Sequence, residues 1–200
     1  MRRFLKTAVI ATIVAAQPAV AAELQVHLPP ESTTIDFTLK ATMHTVHGTV
    51  TLESAEFTID SETGEASGEA VVIAASADTQ NKKRDKKMHG KVLVSAEHPL
   101  IVIHAERIEG PLALEGTSEI TLVGAMEILG AEHPIRVPMT VTMNGDTASV
   151  EATFQVPYVE WGLKDPSTFV LRVGKEVPVT VKAENITVNR VTSALETPSE

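Results

Sequence analysis

Ile135-Arg-Val-Pro-Met-Thr-Val-Thr-Met143 runs into Asn144-Gly-Asp146, and a weaker patterned run follows from Ala148 to Val156. In the first run Ile135, Val137, Met139, Val141 and Met143 alternate with Arg136, Pro138, Thr140 and Thr142. Successive side chains of a β-strand point to opposite faces, so this period of two puts the apolar set on one face and the polar set on the other. Asn-Gly between two such runs signals a tight hairpin, because these residues accept the positive φ that short turns need. The stretch reads as an antiparallel pair with one greasy face.

The same period recurs on either side. Ile35, Phe37, Leu39, Ala41 and Met43 alternate with Thr34, Asp36, Thr38, Lys40 and Thr42. Val177, Val179, Val181 and Ala183 alternate with Pro178, Thr180, Lys182 and Glu184. Weaker versions run through Val46 to Ile59, Ala66 to Ala75 and Leu112 to Val123, and Leu100 to His104 is continuously apolar, as a strand covered on both sides would be. Asp60-Ser-Glu-Thr-Gly64, Glu109-Gly-Pro111 and Leu129-Gly-Ala131 punctuate these runs as turns. About eight strands result, joined mostly by short antiparallel connections. Such a sheet must be covered or closed, and no string of helices is available to cover it. The expectation is an all-β fold, an eight-stranded antiparallel barrel in one domain, with no internal repeat.

One segment breaks the pattern. Asn81-Lys-Lys-Arg-Asp-Lys-Lys-Met-His89 does not alternate, and residues 81–92 are the one good helix candidate after the N-terminus. It holds Lys82, Lys83, Arg84, Lys86, Lys87 and Lys91 in an otherwise acidic chain. A cationic helix between acidic strands could hold an anionic group, although exposed lysines on a helix are more commonly a solvated face.

The ends read differently. Arg2, Arg3 and Lys6, the apolar run Ala8 to Ala16 and Ala19-Val-Ala-Ala22 are the charged, apolar and small-residue parts of a secretory signal peptide, expected to span residues 1–22. The apolar run is too short to cross a bilayer, and no later segment is longer. Cleavage after Ala21 or Ala22 moves the formal net charge from −9 to −12, because three basic residues leave with the leader. An acidic chain without a wide basic patch repels nucleic acid. With no cysteine, disulfides, thiol chemistry and cysteine-based zinc sites are impossible. The domain is expected over residues 23–190, and the polar stretch 191–200 as a disordered tail.

Asp78-Thr-Gln-Asn-Lys-Lys-Arg-Asp-Lys-Lys-Met-His89, then Val92-Leu93 and His98-Pro99, resembles the signature of the YceI-like family. His44-Thr-Val-His-Gly48, the segment Thr121 to Val141, and Trp161-Gly-Leu-Lys-Asp-Pro-Ser167 are similar to further pieces of it, in the same order. The chain departs in having Gln80 where the family often has glycine, just before its arginine–aspartate pair. The resemblance covers about residues 32 to 188. It implies a lipocalin-like barrel, exported to the periplasm or secreted from a bacterium. It also implies a bound polyisoprenoid, such as a quinone tail or prenyl diphosphate, held in an apolar pore for transport, storage or stress protection.

Side-chain chemistry alone leaves a packed core and a hollow pore both open. Medium aliphatic residues with few aromatic rings leave room for a ligand, and methionines make adaptable walls. The expected wall residues are Phe37, Leu39, Met43, Ile103, Leu122, Met139 and Val181. Arg84, Asp85 and His89 are expected at the rim, the first two fixing the helix to the barrel. Trp161 is expected to plug one end or to line the channel. Seven histidines raise a metal site, but His44 and His47 fall on opposite faces of a strand and no H-E-x-x-H motif is present. No metal, cofactor or covalent chemistry is expected. Homodimerisation is left open. The rivals are an enzyme acting on a lipidic substrate through His89 and a carboxylate, and a filled structural or stress-response barrel.

Overall fold

The structure, a computed structural model, describes residues 22–42 and 44–192. The expected leader up to residue 21, residues 193–200 of the expected tail, and Met43 lie outside the described residues. The strands are β1 (Ala22–His27), β2 (Thr33–Lys40), β3 (Thr45–Asp60), β4 (Ala66–Asp78), β5 (Leu100–Glu109), β6 (Gly116–Ile128), β7 (Ala131–Asn144), β8 (Thr147–Val156) and β9 (Val177–Thr192). A helix, α1 (Lys82–Lys87), continues into a single π turn, Met88–Val92.

Every neighbouring pair is antiparallel, and the sheet closes because β1 and β2 both join β3 to β9. β1 and β2 lie end to end in one position of the barrel. β1 pairs with the far half of β3 (Glu23 opposite Asp60), and β2 with its near half (Lys40 opposite Thr45). The nine strands therefore occupy the eight positions that the alternation implies. The interruption has a local cause. Pro29 and Pro30 have no N–H to give to a ladder, so the chain makes a 3₁₀ turn at Pro30–Ser32 before pairing resumes.

The hairpin at the heart of the sequence pattern forms as expected. Asn144 pairs with Thr147, and Gly145 takes the first central position of the two-residue turn with φ of +61°. Three boundaries differ from the sequence reading. β1, short and next to the apolar leader, was not anticipated. Leu112 to Glu115 is a loop, and β6 starts only at Gly116. β9 runs on through Val191 to Thr192, two residues into the stretch expected as tail.

The two ends of the barrel are filled differently. At one end Leu24, Ile108, Ile120, Val141, Met143, Ile186 and Val188 make a solid core, and Leu112 and Leu114 fold in from the β5–β6 loop to pack on it. The described chain begins and ends there, with Ala22 paired to Thr192. The β2–β3, β4–β5, β6–β7 and β8–β9 connections gather at the opposite end, and α1 sits among them. No helix among the described residues is long and apolar enough to cross a membrane.

Candidate functional site

Above the solid core the barrel is hollow. A cavity of about 570 Å³ opens at the end that carries α1. Its wall comes from the inward residues of the alternating strands. Ile35, Phe37 and Leu39 come from β2, Val179 and Val181 from β9, and Ile101 and Ile103 from β5. Val72, Ala74 and Ala77 line the β4 side, where small side chains keep the lumen wide. Phe37 faces Gly48 across the β2–β3 ladder, and a Cβ at Gly48 would collide with the Phe37 ring and stand 2.8 Å from the Asp78 carbonyl. Glycine at 48 is what lets that ring lie across β3.

The mouth is built by α1 and the loops. Asn81 caps the helix, its Oδ1 accepting from the backbone N–H of Lys83 and Arg84. Lys83 and Lys87 are four apart, as are Arg84 and Met88, and this face of the helix borders the cavity. Arg84 also anchors the helix: its Nε donates to Thr79 Oγ1 at 2.6 Å and its Nη2 to the Thr79 carbonyl at 2.7 Å. Asp85 Oδ1 accepts from the Thr79 hydroxyl and from its backbone N–H. Desolvation raises the Asp85 pKa. The hydrogen bonds from Thr79 and Asn81, with Arg84 alongside, outweigh this and hold it below the usual carboxylate value. Gln80 supplies the bend into the helix with φ of +61°, the conformation that glycine adopts freely.

His89 turns away from the cavity. Its Nε2 donates to the Ala77 carbonyl at 2.9 Å, and its Nδ1 accepts from the Ser95 hydroxyl at 3.2 Å in the tautomer that satisfies both. It ties the π turn to the end of β4.

The β8–β9 connection forms the other lip. Tyr158 lines the cavity and its hydroxyl donates to the Gly174 carbonyl at 2.8 Å. Burial, with the Asp165 carboxylate nearby, pushes its pKa up to about 12. Gly174 in turn donates to the Lys40 carbonyl, and Thr42 and Arg172 exchange bonds, so this loop is laced to the end of β2. The Ser167 hydroxyl and backbone N–H hold Asp165 below its ordinary pKa and fix the bend before the tip of the loop.

Of the residues expected in the wall, Phe37, Leu39, Ile103 and Val181 border the cavity. Leu122 and Met139 do not. They pack where the solid core meets the hollow part, beneath the lumen. Met43 lies outside the described residues. At the rim Arg84 borders the cavity, whereas Asp85 and His89 are turned into the tether and do not. Trp161 does not line the cavity either. Its ring stacks on His133 of β7, with centroids 4.6 Å apart, and packs against the cluster that holds Ile135, Tyr158 and Leu163. His44 borders the mouth while His47 bonds Thr38 on the outer face. No three metal-ligating side chains converge among the described residues.

Residues that sequence reasoning missed include Ile35, Ile101 and Val179 of the strands, the small β4 side chains, Phe154 on β8, and Leu93, Pro166 and Leu171 from the loops. Phe154 was visible in the alternation of β8. The loop residues carry no periodic signal.

The YceI-like domain profile matches residues 27–185. Among solved structures, BcnA of Burkholderia cenocepacia is similar at a TM-score of 0.65 and 18% identity, over 78% of this chain and 98% of that one. A polyisoprenoid binding domain from Saccharophagus degradans, implicated in plant cell wall breakdown, matches at a TM-score of 0.62 and 13% identity, over 82% of this chain and 98% of that one. At these identities the likeness speaks for the fold. No protein of curated function matches the sequence. With a barrel closed in eight positions, a hollow lumen and a family profile spanning nearly all described strands, the chain belongs to the YceI-like family.

Proposed function

We propose that this chain is an exported binding protein that holds a long apolar amphiphile of the polyisoprenoid type, tail in the lumen and polar end at the mouth. The observation that carries the reading is the cavity: about 570 Å³, walled by aliphatic side chains, closed below by a solid core and edged above by Lys83, Arg84 and Lys87. Each ligand CH₂ taken from water contributes roughly 0.8 kcal/mol, so a long tail needs few polar partners. The cationic edge suits a diphosphate, and a neutral quinone head would use it less. The likeness to a polyisoprenoid binding domain supports the same ligand class.

Binding rather than turnover is favoured by the lining itself. His44 borders the mouth with no carboxylate of the described residues beside it in the lining, the Tyr158 hydroxyl is committed to Gly174, and His89 spends both ring nitrogens on the helix tether. An acid–base pair within reach of a substrate in the lumen is what an enzyme would require. Export rests on residues 1–22 alone.

Organic extraction of the purified protein followed by mass spectrometry tests the proposal. Recovery of a stoichiometric isoprenoid lipid is the expected result. Recovery of none, with no rise in melting temperature when isoprenoid quinone or prenyl diphosphate is added, would overturn it.

A further inference from the structure

Thr168–Leu171, at the tip of the β8–β9 connection, is a four-residue turn closed by its own bonds. The Thr168 N–H donates to the Leu171 carbonyl at 2.8 Å, and the Leu171 N–H donates to the Thr168 hydroxyl at 3.1 Å. Between them stand Phe169 and Val170, 97% and 81% exposed. Four large hydrophobic residues are markedly exposed among the described residues, and these two are by far the most so. A backbone satisfied in this way displays two apolar side chains without help from a partner, and nothing among the described residues covers them. Pro166 and Leu171, on either side of the tip, border the cavity, so the tip stands at its mouth.

Charge is distributed along the same axis. The connections at the mouth (residues 41–44, 79–99, 129–130 and 157–176) carry nine basic and five acidic side chains, whereas those at the solid end (61–65, 110–115 and 145–146) carry four acidic and no basic ones. The chain as a whole is at −9, so its positive charge has been concentrated at this end: six of the nine basic residues stand on the connection that carries α1, while the connection that carries the tip balances three basic against three acidic. Exposed apolar side chains at an opening edged by Lys83, Arg84 and Lys87 match the chemistry of an anionic lipid–water interface, where the apolar groups enter the headgroup layer and the cations face the phosphates.

We propose that the mouth of the barrel docks on an anionic lipid bilayer, with Phe169 and Val170 inserted among the headgroups and α1 lying against them. The cavity then opens onto the membrane rather than onto water. As a route for cargo this rests on the carrier reading; as a docking surface it stands without it.

The chain has no cysteine, so single labels are clean. In the full chain, Phe169→Cys carrying an environment-sensitive fluorophore is compared with Glu62→Cys, exposed in the β3–β4 turn at the other end. Vesicles are phosphatidylglycerol with phosphatidylcholine in equal parts, or phosphatidylcholine alone. The expected result is a blue shift at 169 with the anionic vesicles, little with neutral ones, and none at 62. The expected loss of vesicle affinity is tenfold or more for Phe169→Ser with Val170→Ser, and again for Lys83→Glu with Lys87→Glu. Three results overturn the proposal: a 169 label that stays water-like, equal shifts at both labels, or the same shift with soluble isoprenoid and no vesicles, which would make the tip a lid. Docking by a protein from which no lipid can be extracted sinks the carrier and not the surface. Extracted lipid without docking does the reverse.

Discussion

Three residues show how single positions set stability here. Gln80 is exposed and held at a φ of +61°, a conformation that costs an L-residue about 1–2 kcal/mol and glycine almost nothing. Gln80→Gly is expected to raise stability by about 0.5–1 kcal/mol in urea unfolding, the relief being partly offset by a more flexible unfolded chain. An unchanged or lower midpoint would mean that the bend is not strained. Tyr158 is the opposite case. Tyr158→Phe leaves the Gly174 carbonyl without its donor inside the loop, at an expected cost of about 1–2 kcal/mol. Glu109, on the outer face of the barrel, bonds Arg136 and Arg107, and those bonds lower its pKa to about 2. A folded-state value below the unfolded one means a stabilising contribution present above the ordinary carboxylate range and lost as pH falls toward 2. In Glu109→Gln the melting temperature should fall less steeply than in the unaltered protein between about pH 4.5 and 2. Parallel slopes would show that the exposed cluster does not couple to folding.

At the scale of elements, α1 is the piece whose sequence and role are least alike. Its lysines suggest a solvated helix, and most of its outer face is one. Its position is set by Thr79, whose hydroxyl takes a bond from Arg84 and gives one to Asp85. Thr79→Val keeps the shape and removes both, so the helix should loosen at a cost of about 2 kcal/mol, with earlier hydrogen exchange over residues 82–92. Exchange confined to a global unfolding event would argue that the tether is redundant. The strands were legible because period two is imposed by burial on one face: β2, β7 and β9 put inward the very residues that the alternation marks. β1 was not legible, since a six-residue strand beside an apolar leader has no contrast of its own, and the Pro29–Pro30 interruption that separates it from β2 looks like a loop. Leu112 and Leu114 misled for a related reason. They alternate as a strand would, but they are half-buried, packed from a loop onto the solid core. The wall of the site was legible as far as strands supply it. Height along the barrel, which separates Leu122 and Met139 from Val181, depends on register across strands and leaves no mark in a single run. Trp161 joined His133 through a contact between distant segments that no local pattern announces.

Across the whole molecule the contrast between a solid half and a hollow half decides what substitutions do. A larger side chain in the hollow half has space to enter, so Val181→Phe should leave the unfolding midpoint nearly unchanged while the lipid recovered by extraction falls tenfold or more. A midpoint that drops as for an overpacked core would mean that the lumen collapses when empty. The pairing of Ala22 with Thr192 has a separate use. Because the first and last described strands meet side by side beneath the plugged floor, a few glycines and serines could stitch one to the other, and new ends could be cut at the Gly145-Asp146 turn on that same underside. Such a permuted chain would keep every neighbour in the ring of strands. It would also free both original ends from any tag, bead or fused partner, leaving the opposite rim unobstructed.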